Sequence, residues 1–184
     1  MKLDLITNKA EKTTARNEND EFYTPNYAIK PLLKYLKPSS YVWCPFDLPE
    51  SNFVKLLKEN GHRVYHTHIE EGKDFFRMNP PQDAEIDCII SNPPYSIKYE
   101  VFSRLFEIGK PFAMLVGVVG LFESQKRFTM FADNDFEIMY LDKRVSYFKD
   151  YADVKPKLNP PFSSVFLTKD MLPKQVVFER IVKK

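Results

Sequence analysis

The chain is poor in the residues that define several protein classes: its 184 residues include 2 cysteines, 5 glycines and 1 tryptophan. Cys44 and Cys88 are too few for a disulfide framework or for a zinc site of their own, so a reducing cytoplasm is the predicted compartment. No apolar run reaches the roughly 18 residues that a membrane helix needs. The longest, Phe112 to Val119, has the length of a strand. The polar N-terminus is also unlike a signal peptide.

The chain has little excess of either charge: 27 Lys and Arg stand against 25 Asp and Glu, for a net charge of +2. A protein that binds nucleic acid only by neutralising phosphates usually carries a larger positive charge. A hydrophobic content of 43% and an aromatic content of 15% predict one globular domain, residues 21–184. The polar residues 1 to about 20 are predicted to be a flexible arm.

Short apolar runs alternate with helical patterns along most of the chain. Strands are predicted at 41–44, 63–69, 86–90, 112–119 and 137–141, and helices at 25–37, 51–60, 97–108 and 121–132. Thr24 is placed to cap the first helix. The alternation implies an α/β fold, a mostly parallel sheet with helices on both faces. Segments 145–148 and 164–168 are expected to form an antiparallel pair, and 175–182 is ambiguous.

Three polar segments follow predicted strands: Cys44 to Asp47, His68 to Glu71, and Asn92 to Tyr95. In open α/β sheets, ligands bind beyond the carboxyl ends of the strands. The three segments are therefore predicted to meet at one edge of the sheet.

The segment Asn92-Pro93-Pro94-Tyr95 has the strongest chemical character. An amino group conjugated to a ring is a poor nucleophile, so an enzyme that alkylates it should accept hydrogen bonds from both of its N–H groups. The side-chain oxygen of Asn92 and the carbonyl of Pro93 are suitable acceptors. Tyr95 offers a flat face for stacking. A rigid turn between strand and helix is the alternative interpretation, which the position after a strong apolar strand disfavours.

Four motifs, in order, carry a resemblance to a known family. They are Phe22-Tyr23-Thr24-Pro25, Trp43-Cys44-Pro45-Phe46-Asp47, Gly72-Lys73-Asp74-Phe75-Phe76 and Ser91-Asn92-Pro93-Pro94-Tyr95. Together they resemble the amino-methyltransferase superfamily, in particular compact N6-adenine methyltransferases of the phage or prophage type, over roughly residues 20 to 170. The resemblance implies a Rossmann-like methyltransferase fold with seven strands, the last antiparallel. It also implies S-adenosylmethionine as methyl donor and extrusion of the target base.

The resemblance also implies roles for individual residues. Tyr23, Thr24 and Pro25 would lie over the methionine part of the donor. Asp47 would face the donor's ammonium group from the loop that also contains Cys44, Pro45 and Phe46. Asp74 and Phe75 would contact the donor's adenine, and Asn92, Pro93, Pro94 and Tyr95 would hold the target amino group.

Two departures from the family pattern concern the donor. The loop after the first strand contains no glycine, and the carboxylate expected at the donor's ribose is replaced by His68, although Glu70 or Glu71 could reach the site. A neutral imidazole accepts only one hydrogen bond, so we expect weaker donor binding. A metal site on His62, His66 and His68 is disfavoured because no thiolate or carboxylate lies at ligand spacing, and no metal is predicted.

The sequence predicts methylation of adenine N6, in DNA more than in RNA, with Lys98, Arg127, Lys143 and Arg144 as candidate phosphate contacts. No segment is long enough for a target-recognition region, so specificity is expected to be short, lax or supplied by a partner protein. Alternatives are methylation of a protein glutamine and a non-catalytic binding or regulatory role. Asn159-Pro160-Pro161-Phe162 repeats the motif without a preceding strand and is interpreted as a rigid turn.

Overall fold

A seven-stranded sheet forms the centre of the computed structural model, which describes residues 22–81 and 85–183. The order of the strands across the sheet is β2-β1-β3-β4-β6-β5-β7. In chain order the strands are β1 Tyr41–Cys44, β2 Arg63–His66, β3 Cys88–Ser91, β4 Phe112–Gly117, β5 Glu137–Leu141, β6 Ser164–Lys169 and β7 Val176–Glu179. The arm predicted at residues 1 to about 20 lies outside the described residues.

The mostly parallel sheet is confirmed, because within the described residues only β6 runs against its neighbours, β4 and β5. Two details of the prediction were wrong. The antiparallel strand is not the last one, since β7 follows it and pairs parallel to β5. Residues 145–148 do not pair with β6: Tyr147 bridges to Leu158, and Phe148 bridges to Tyr23. A strand between β4 and β5 gains two ladders of hydrogen bonds, which a hairpin at the sheet edge would lack.

The described chain has four α-helices: α1 Asn26–Leu33 precedes β1, and α2 Asn52–Glu59, α3 Lys98–Ile108 and α4 Gln125–Ala132 connect strands. The Ser51 hydroxyl caps α2 by accepting from the Phe53 amide at 3.2 Å. Thr24 does not cap α1 as predicted, because Pro25 occupies the N-cap position. The helix also ends at Leu33, earlier than expected. Each of these helices is too short or too polar to span a bilayer.

Alternate strand residues face opposite sides of the sheet, so each face has its own core. On one face, Val42 and Cys44 of β1 pack with α1 and α2. On the other face, Trp43 and Ile89 pack with α3 and α4. Helices therefore cover both faces, as predicted, and the carboxyl ends of the parallel strands are left open at one edge.

Candidate active site

A small cavity lies beyond the carboxyl ends of the parallel strands. All three polar segments predicted from the sequence contribute residues to its lining. It is lined by Phe22, Tyr23, Thr24, Phe46, Asp47, Leu48, Ser51, Phe53, His68, Asn92, Pro94 and Tyr151. These residues come from the loops after β1, β2 and β3, from α2 and the residue that caps it, from the segment before α1, and from residue 151. Its volume is about 50 Å³, which is room for one or two water molecules at about 30 Å³ each.

Asp47 is the acidic group of the cavity, and its side chain is nearly covered, with the residue only 5% exposed. The hydroxyls of Ser51 and Ser91 donate to its two carboxylate oxygens. Burial raises the pKa of Asp47 to about 6, while the two serine hydrogen bonds act in the opposite direction by favouring the charged form. A cationic ligand in the cavity would favour the charged carboxylate further.

Asn92 follows β3 directly and presents its side-chain amide to the cavity. Its Nδ2 donates to the backbone carbonyl of Phe22 at 2.6 Å. Its Oδ1 is buried and accepts no hydrogen bond from any residue in 22–81 or 85–183. A buried acceptor without a donor costs about 1–3 kcal/mol, so this oxygen is suited to an N–H or O–H group of a ligand.

Aromatic side chains surround Tyr95, the last residue of the motif. The Phe22 ring stacks on it with centroids 5.1 Å apart at 27°, and the Phe162 ring lies at 5.6 Å. The hydroxyls of Tyr95 and Tyr147 are 2.9 Å apart, and that of Tyr147 is 2.7 Å from the Ser164 hydroxyl. Burial raises the pKa of Tyr147 to about 12, so this phenol stays protonated. The hydroxyl chain therefore holds the Tyr95 ring in place from β6.

Phe162 belongs to the repeated Asn159-Pro160-Pro161-Phe162 segment, and its position depends on Gly117 at the end of β4. A Cβ added at Gly117 would lie 2.7 Å from Cε2 and 2.8 Å from Cδ2 of Phe162. Both distances are below van der Waals contact, so no larger residue fits unless the ring moves. The repeated motif thus supplies an aromatic wall beside Tyr95.

Gly117→Ala should displace the Phe162 ring and lower the free energy of unfolding by about 1–3 kcal/mol, the usual cost of overpacking. Thermal denaturation would measure this loss. The double variant Gly117→Ala/Phe162→Leu should recover stability, because leucine is smaller and more flexible. A single variant as stable as wild type would contradict the close packing of Gly117 and Phe162.

Residues 22–24 form one wall of the cavity, which we call the cover. Tyr23 exchanges two backbone hydrogen bonds with Phe148, at 2.9 and 3.3 Å, and its ring lies 4.0 Å from that of Tyr151. The Thr24 carbonyl accepts from Asn52 Nδ2 at 2.8 Å. Like Asn92 Oδ1, the buried Thr24 hydroxyl has no partner in the described part of the chain. The cavity is too small for a nucleoside, so a ligand of that size requires its lining to move.

Several residues predicted for the donor lie outside the cavity. Phe75 is buried behind Phe46, with ring centroids 4.9 Å apart, and Asp74 accepts from the Phe76 amide at 2.9 Å. Cys44 packs in the core on the α1 and α2 face. Pro25 and Pro45 do not line the cavity either. Of the residues predicted to hold the target amino group, Asn92 and Pro94 line the cavity, and Pro93 and Tyr95 do not.

His68 lines the cavity and is 7% exposed, at the place where a carboxylate was expected. Its Nδ1 accepts from the Glu70 amide at 3.4 Å and caps the short 3₁₀ helix Ile69–Glu71. A capping role explains how a histidine is held here. Within the described ranges, no three His, Cys, Asp or Glu side chains converge on a point that could hold a metal ion.

The four candidate phosphate contacts differ in their surroundings. Lys98 donates to the carbonyls of Gly117 and Val119, at 3.3 and 2.8 Å, and so braces the end of β4. Lys143 donates to the Ile181 carbonyl at 3.2 Å. Arg144 is exposed, and Arg127 is partly buried. None of the four lines the cavity.

Sequence reasoning did not assign roles to Ser51, Ser91, Phe22, Tyr151 or Phe162. Ser51 stands before a helical pattern, so its capping position could have been recognised, and Ser91 directly precedes Asn92. Ser51 lies four residues after Asp47 and contacts it locally, whereas Ser91 contacts it only because β1 and β3 are neighbours in the sheet. The contact of Phe162 with Tyr95 has no local signal in the sequence.

The chain was compared with proteins of known family and structure. No protein-family model matches it, and no curated protein sequence matches it significantly. Among solved structures, it is similar to one described as a modification subunit of a type I restriction enzyme from Vibrio vulnificus YJ016, at 14% identity and a TM-score of 0.51, covering 98% of this chain and 51% of that one. The chain has the Rossmann-like methyltransferase fold.

Two other solved structures are similar to this methyltransferase fold at lower scores. The 23S rRNA methyltransferase ErmE matches at 13% identity and a TM-score of 0.47, covering 80% of this chain and 69% of that one. A TehB-like SAM-dependent methyltransferase from Corynebacterium glutamicum matches at 10% identity and a TM-score of 0.45, covering 90% and 95%. The chain spans about half the length of the Vibrio protein.

Proposed function

We propose that the chain is an S-adenosylmethionine-dependent methyltransferase that methylates adenine N6 in nucleic acid, in DNA more than in RNA. The observation that carries this proposal is the buried Oδ1 of Asn92, an acceptor without a donor in the described chain, on a residue that lines the cavity beyond the carboxyl ends of the strands. An exocyclic amino group supplies the missing N–H donor. A neutral carbonyl or an anionic ligand group would leave this oxygen unsatisfied.

The residues of the turn would hold and activate the amino group. Asn92 Oδ1 accepts one N–H, and the Pro93 carbonyl is the proposed acceptor for the other. Two such bonds draw the nitrogen lone pair out of conjugation with the ring, which makes it more nucleophilic. Bound S-adenosylmethionine would supply an electrophilic methyl group: its S–C bond breaks as the N–C bond forms, sulfur keeps the electron pair, and a proton leaves the nitrogen to water.

The lining of the cavity fits the amino-acid end of the donor. Asp47 offers a buried carboxylate to an ammonium group, and the unpartnered Thr24 hydroxyl offers a hydrogen bond nearby. We keep the proposed roles of His68 at the ribose and of Asp74 with Phe75 at the adenine. Phe75 lies directly behind Phe46, which lines the cavity. Binding then requires the cover, residues 22–24, to move away.

Tyr95 and Phe162 are the proposed clamp for the target base. Phe22 now stacks on Tyr95, so its ring occupies a face that a base could use. When the cover moves, Phe22 leaves this face, while Phe162 stays with the body of the protein. The base would then contact two aromatic rings. One is Tyr95, held by the hydroxyl chain, and the other is Phe162, packed over Gly117.

Phe162→Leu should raise the KM for nucleic acid by about 5- to 150-fold, since stacking of a base on an aromatic ring contributes about 1–3 kcal/mol. Steady-state kinetics with an oligonucleotide would measure it. Phe178→Leu is the matched control, because Phe178 is exposed on β7 and its ring stacks on Tyr140, whereas the ring of Phe162 lies against Tyr95. Equal KM values for the two variants would contradict the clamp.

The function itself is tested by incubating the protein with methyl-labelled donor and, separately, unmethylated DNA, RNA or cell lysate. We expect label in DNA that is recovered as N6-methyladenine, with less in RNA. Label recovered on protein glutamine would replace the proposed substrate. Protein that binds donor but transfers label to none of these, even with lysate present to supply a recognition partner, would indicate a non-catalytic role.

A further inference from the structure

A second concave surface, much larger than the cavity, lies on the other side of the cover. This groove has a volume of about 1080 Å³ and is formed by α1, by the segment around residues 154–156 and by the residues after β7. That volume slightly exceeds the roughly 300–1,000 Å³ of pockets that hold small ligands. Four cationic side chains line it, namely Lys30, Lys155, Arg180 and Lys183, and we call it the basic groove.

The basic groove has an uncompensated positive charge. Glu179 is its one acidic residue among the described lining residues, and Lys34 pairs with that carboxylate at 2.6 Å. Tyr35 donates to the same carboxylate at 2.5 Å. By contrast, Lys30, Lys155 and Arg180 are exposed and pair with no carboxylate of the described chain. Cations that have no internal partner are available to an anionic ligand.

The groove and the cavity share one wall. Phe148 lines the groove and holds Tyr23 of the cavity through two backbone hydrogen bonds. Asn52 also lines the groove, and it holds the carbonyl of Thr24. The run of residues from Tyr23 to Pro25, together with Phe148 and Asn52, therefore lies between the two. A polymer whose reactive unit lies in the cavity has its neighbouring units within reach of the groove.

A nucleic-acid strand fits this combination of features. A base that is extruded into a pocket stays attached to its strand, so the flanking phosphates must lie against the surface beside the pocket. Lysine and arginine side chains on such a surface position the strand through its phosphates. The proline, valine and aromatic side chains between the cations offer apolar contacts to sugars and unstacked bases.

We infer that the basic groove binds the phosphates of the nucleic-acid strand that flanks the target base. This inference rests on the proposed function, because it takes Asn92 and the ring of Tyr95 as the place where the target base binds. In this proposal, Lys30, Lys155, Arg180 and Lys183 contact the phosphates of the nucleic-acid strand.

The test compares two triple variants of equal charge change. The groove variant is Lys30→Gln/Lys155→Gln/Arg180→Gln, and the control is Lys37→Gln/Lys58→Gln/Lys174→Gln. The control residues are exposed and lie toward the amino ends of the parallel strands. Lys37 precedes β1, Lys58 is at the end of α2, and Lys174 precedes β7. Fluorescence anisotropy with a labelled single-stranded oligonucleotide, at several salt concentrations, gives Kd and its salt dependence.

We expect the groove variant to bind about tenfold more weakly or worse at about 0.1 M salt. Each phosphate contact contributes about 0.7 to the slope of log K against log salt for a single strand, so the slope should fall by about 2. The control should stay within about twofold of wild type. Equal Kd values for the two variants would overturn the inference, as would groove-dependent binding of a polyglutamate peptide as tight as that of the oligonucleotide.

Donor binding and methyl transfer, measured in parallel, separate this inference from the proposed function. Wild-type protein that transfers no methyl group but binds the oligonucleotide through the groove would contradict the function and support the groove. A groove variant with full transfer and unchanged Kd would contradict the groove and leave the function standing.

Discussion

Asn92→Ala should lower the rate of methyl transfer by about 10²–10³-fold or more, while donor binding changes little. The variant removes the acceptor that we propose for one N–H of the target amino group. Loss of one preorganised hydrogen-bonding group in an active site costs about 2.7–4 kcal/mol of transition-state stabilisation. Single-turnover transfer with saturating donor would measure this, and isothermal titration with adenosylhomocysteine would measure donor-site binding.

The repeated motif provides a matched control, because Asn159→Ala removes the same side chain from the same Asn-Pro-Pro context. Asn159 is exposed and lies outside the cavity, so transfer should stay near the wild-type rate. Melting temperatures of both variants would show that they fold. Transfer by Asn92→Ala at the rate of Asn159→Ala would remove the basis of the proposed function.

Donor binding should become about tenfold tighter between pH 5 and pH 7 because of Asp47. Its pKa of about 6 leaves this carboxyl mostly protonated at pH 5 and mostly charged at pH 7. Only the charged form attracts the donor's ammonium group, so the apparent Kd follows the fraction of charged Asp47. Titration calorimetry across this pH range would measure the change.

Asp47→Asn should weaken donor binding at pH 7 by about 30-fold or more, since removal of one member of a buried charge pair costs about 2–5 kcal/mol. The pH dependence should disappear at the same time. Asp133→Asn, which removes a charge from an exposed position, should retain both the affinity and its pH dependence. A variant at position 47 that binds donor as wild type does would show that this carboxylate is not in the donor site.

The same carboxyl predicts an effect on stability without ligand. The pKa of Asp47 is above its ordinary value of 3.8, so the folded state holds this proton more tightly than the unfolded state. Its contribution to the free energy of unfolding is then present at low pH and is lost as the pH rises through about 4 to 6. Denaturant unfolding of wild type and Asp47→Asn at pH 4 and pH 7 would isolate this contribution.

Much of the fold could be predicted because the signals are local. Periodic apolar residues locate β5 at the residues where the structure has it, and Gly109 ends α3 in the left-handed conformation, with φ of 72°. The meeting of the loops after β1, β2 and β3 also followed from sequence alone, because parallel strands direct their carboxyl ends to one edge. That rule needs only the order and direction of the strands.

Other features could not be read from local patterns. Val145 to Phe148 is apolar like a strand, yet it forms isolated bridges, since β6 finds better partners in β4 and β5. Thr24 has the residue type of a cap, but its hydroxyl lies buried at the cavity instead. In both cases a tertiary partner overrides the local preference.

The sequence by itself determined the α/β alternation and the meeting of the loops after β1, β2 and β3, and the role of the Asn-Pro-Pro-Tyr turn in chemistry stays a prediction. Only the tertiary structure decided that Ser91 joins Ser51 at Asp47, that Phe162 packs beside Tyr95, that residues 22–24 form a wall of the cavity, and that a basic groove lies beside them. The physical reason is that periodicity and turn chemistry act over a few residues. The site is formed by contacts between segments that are far apart in the chain and meet only when the sheet is assembled.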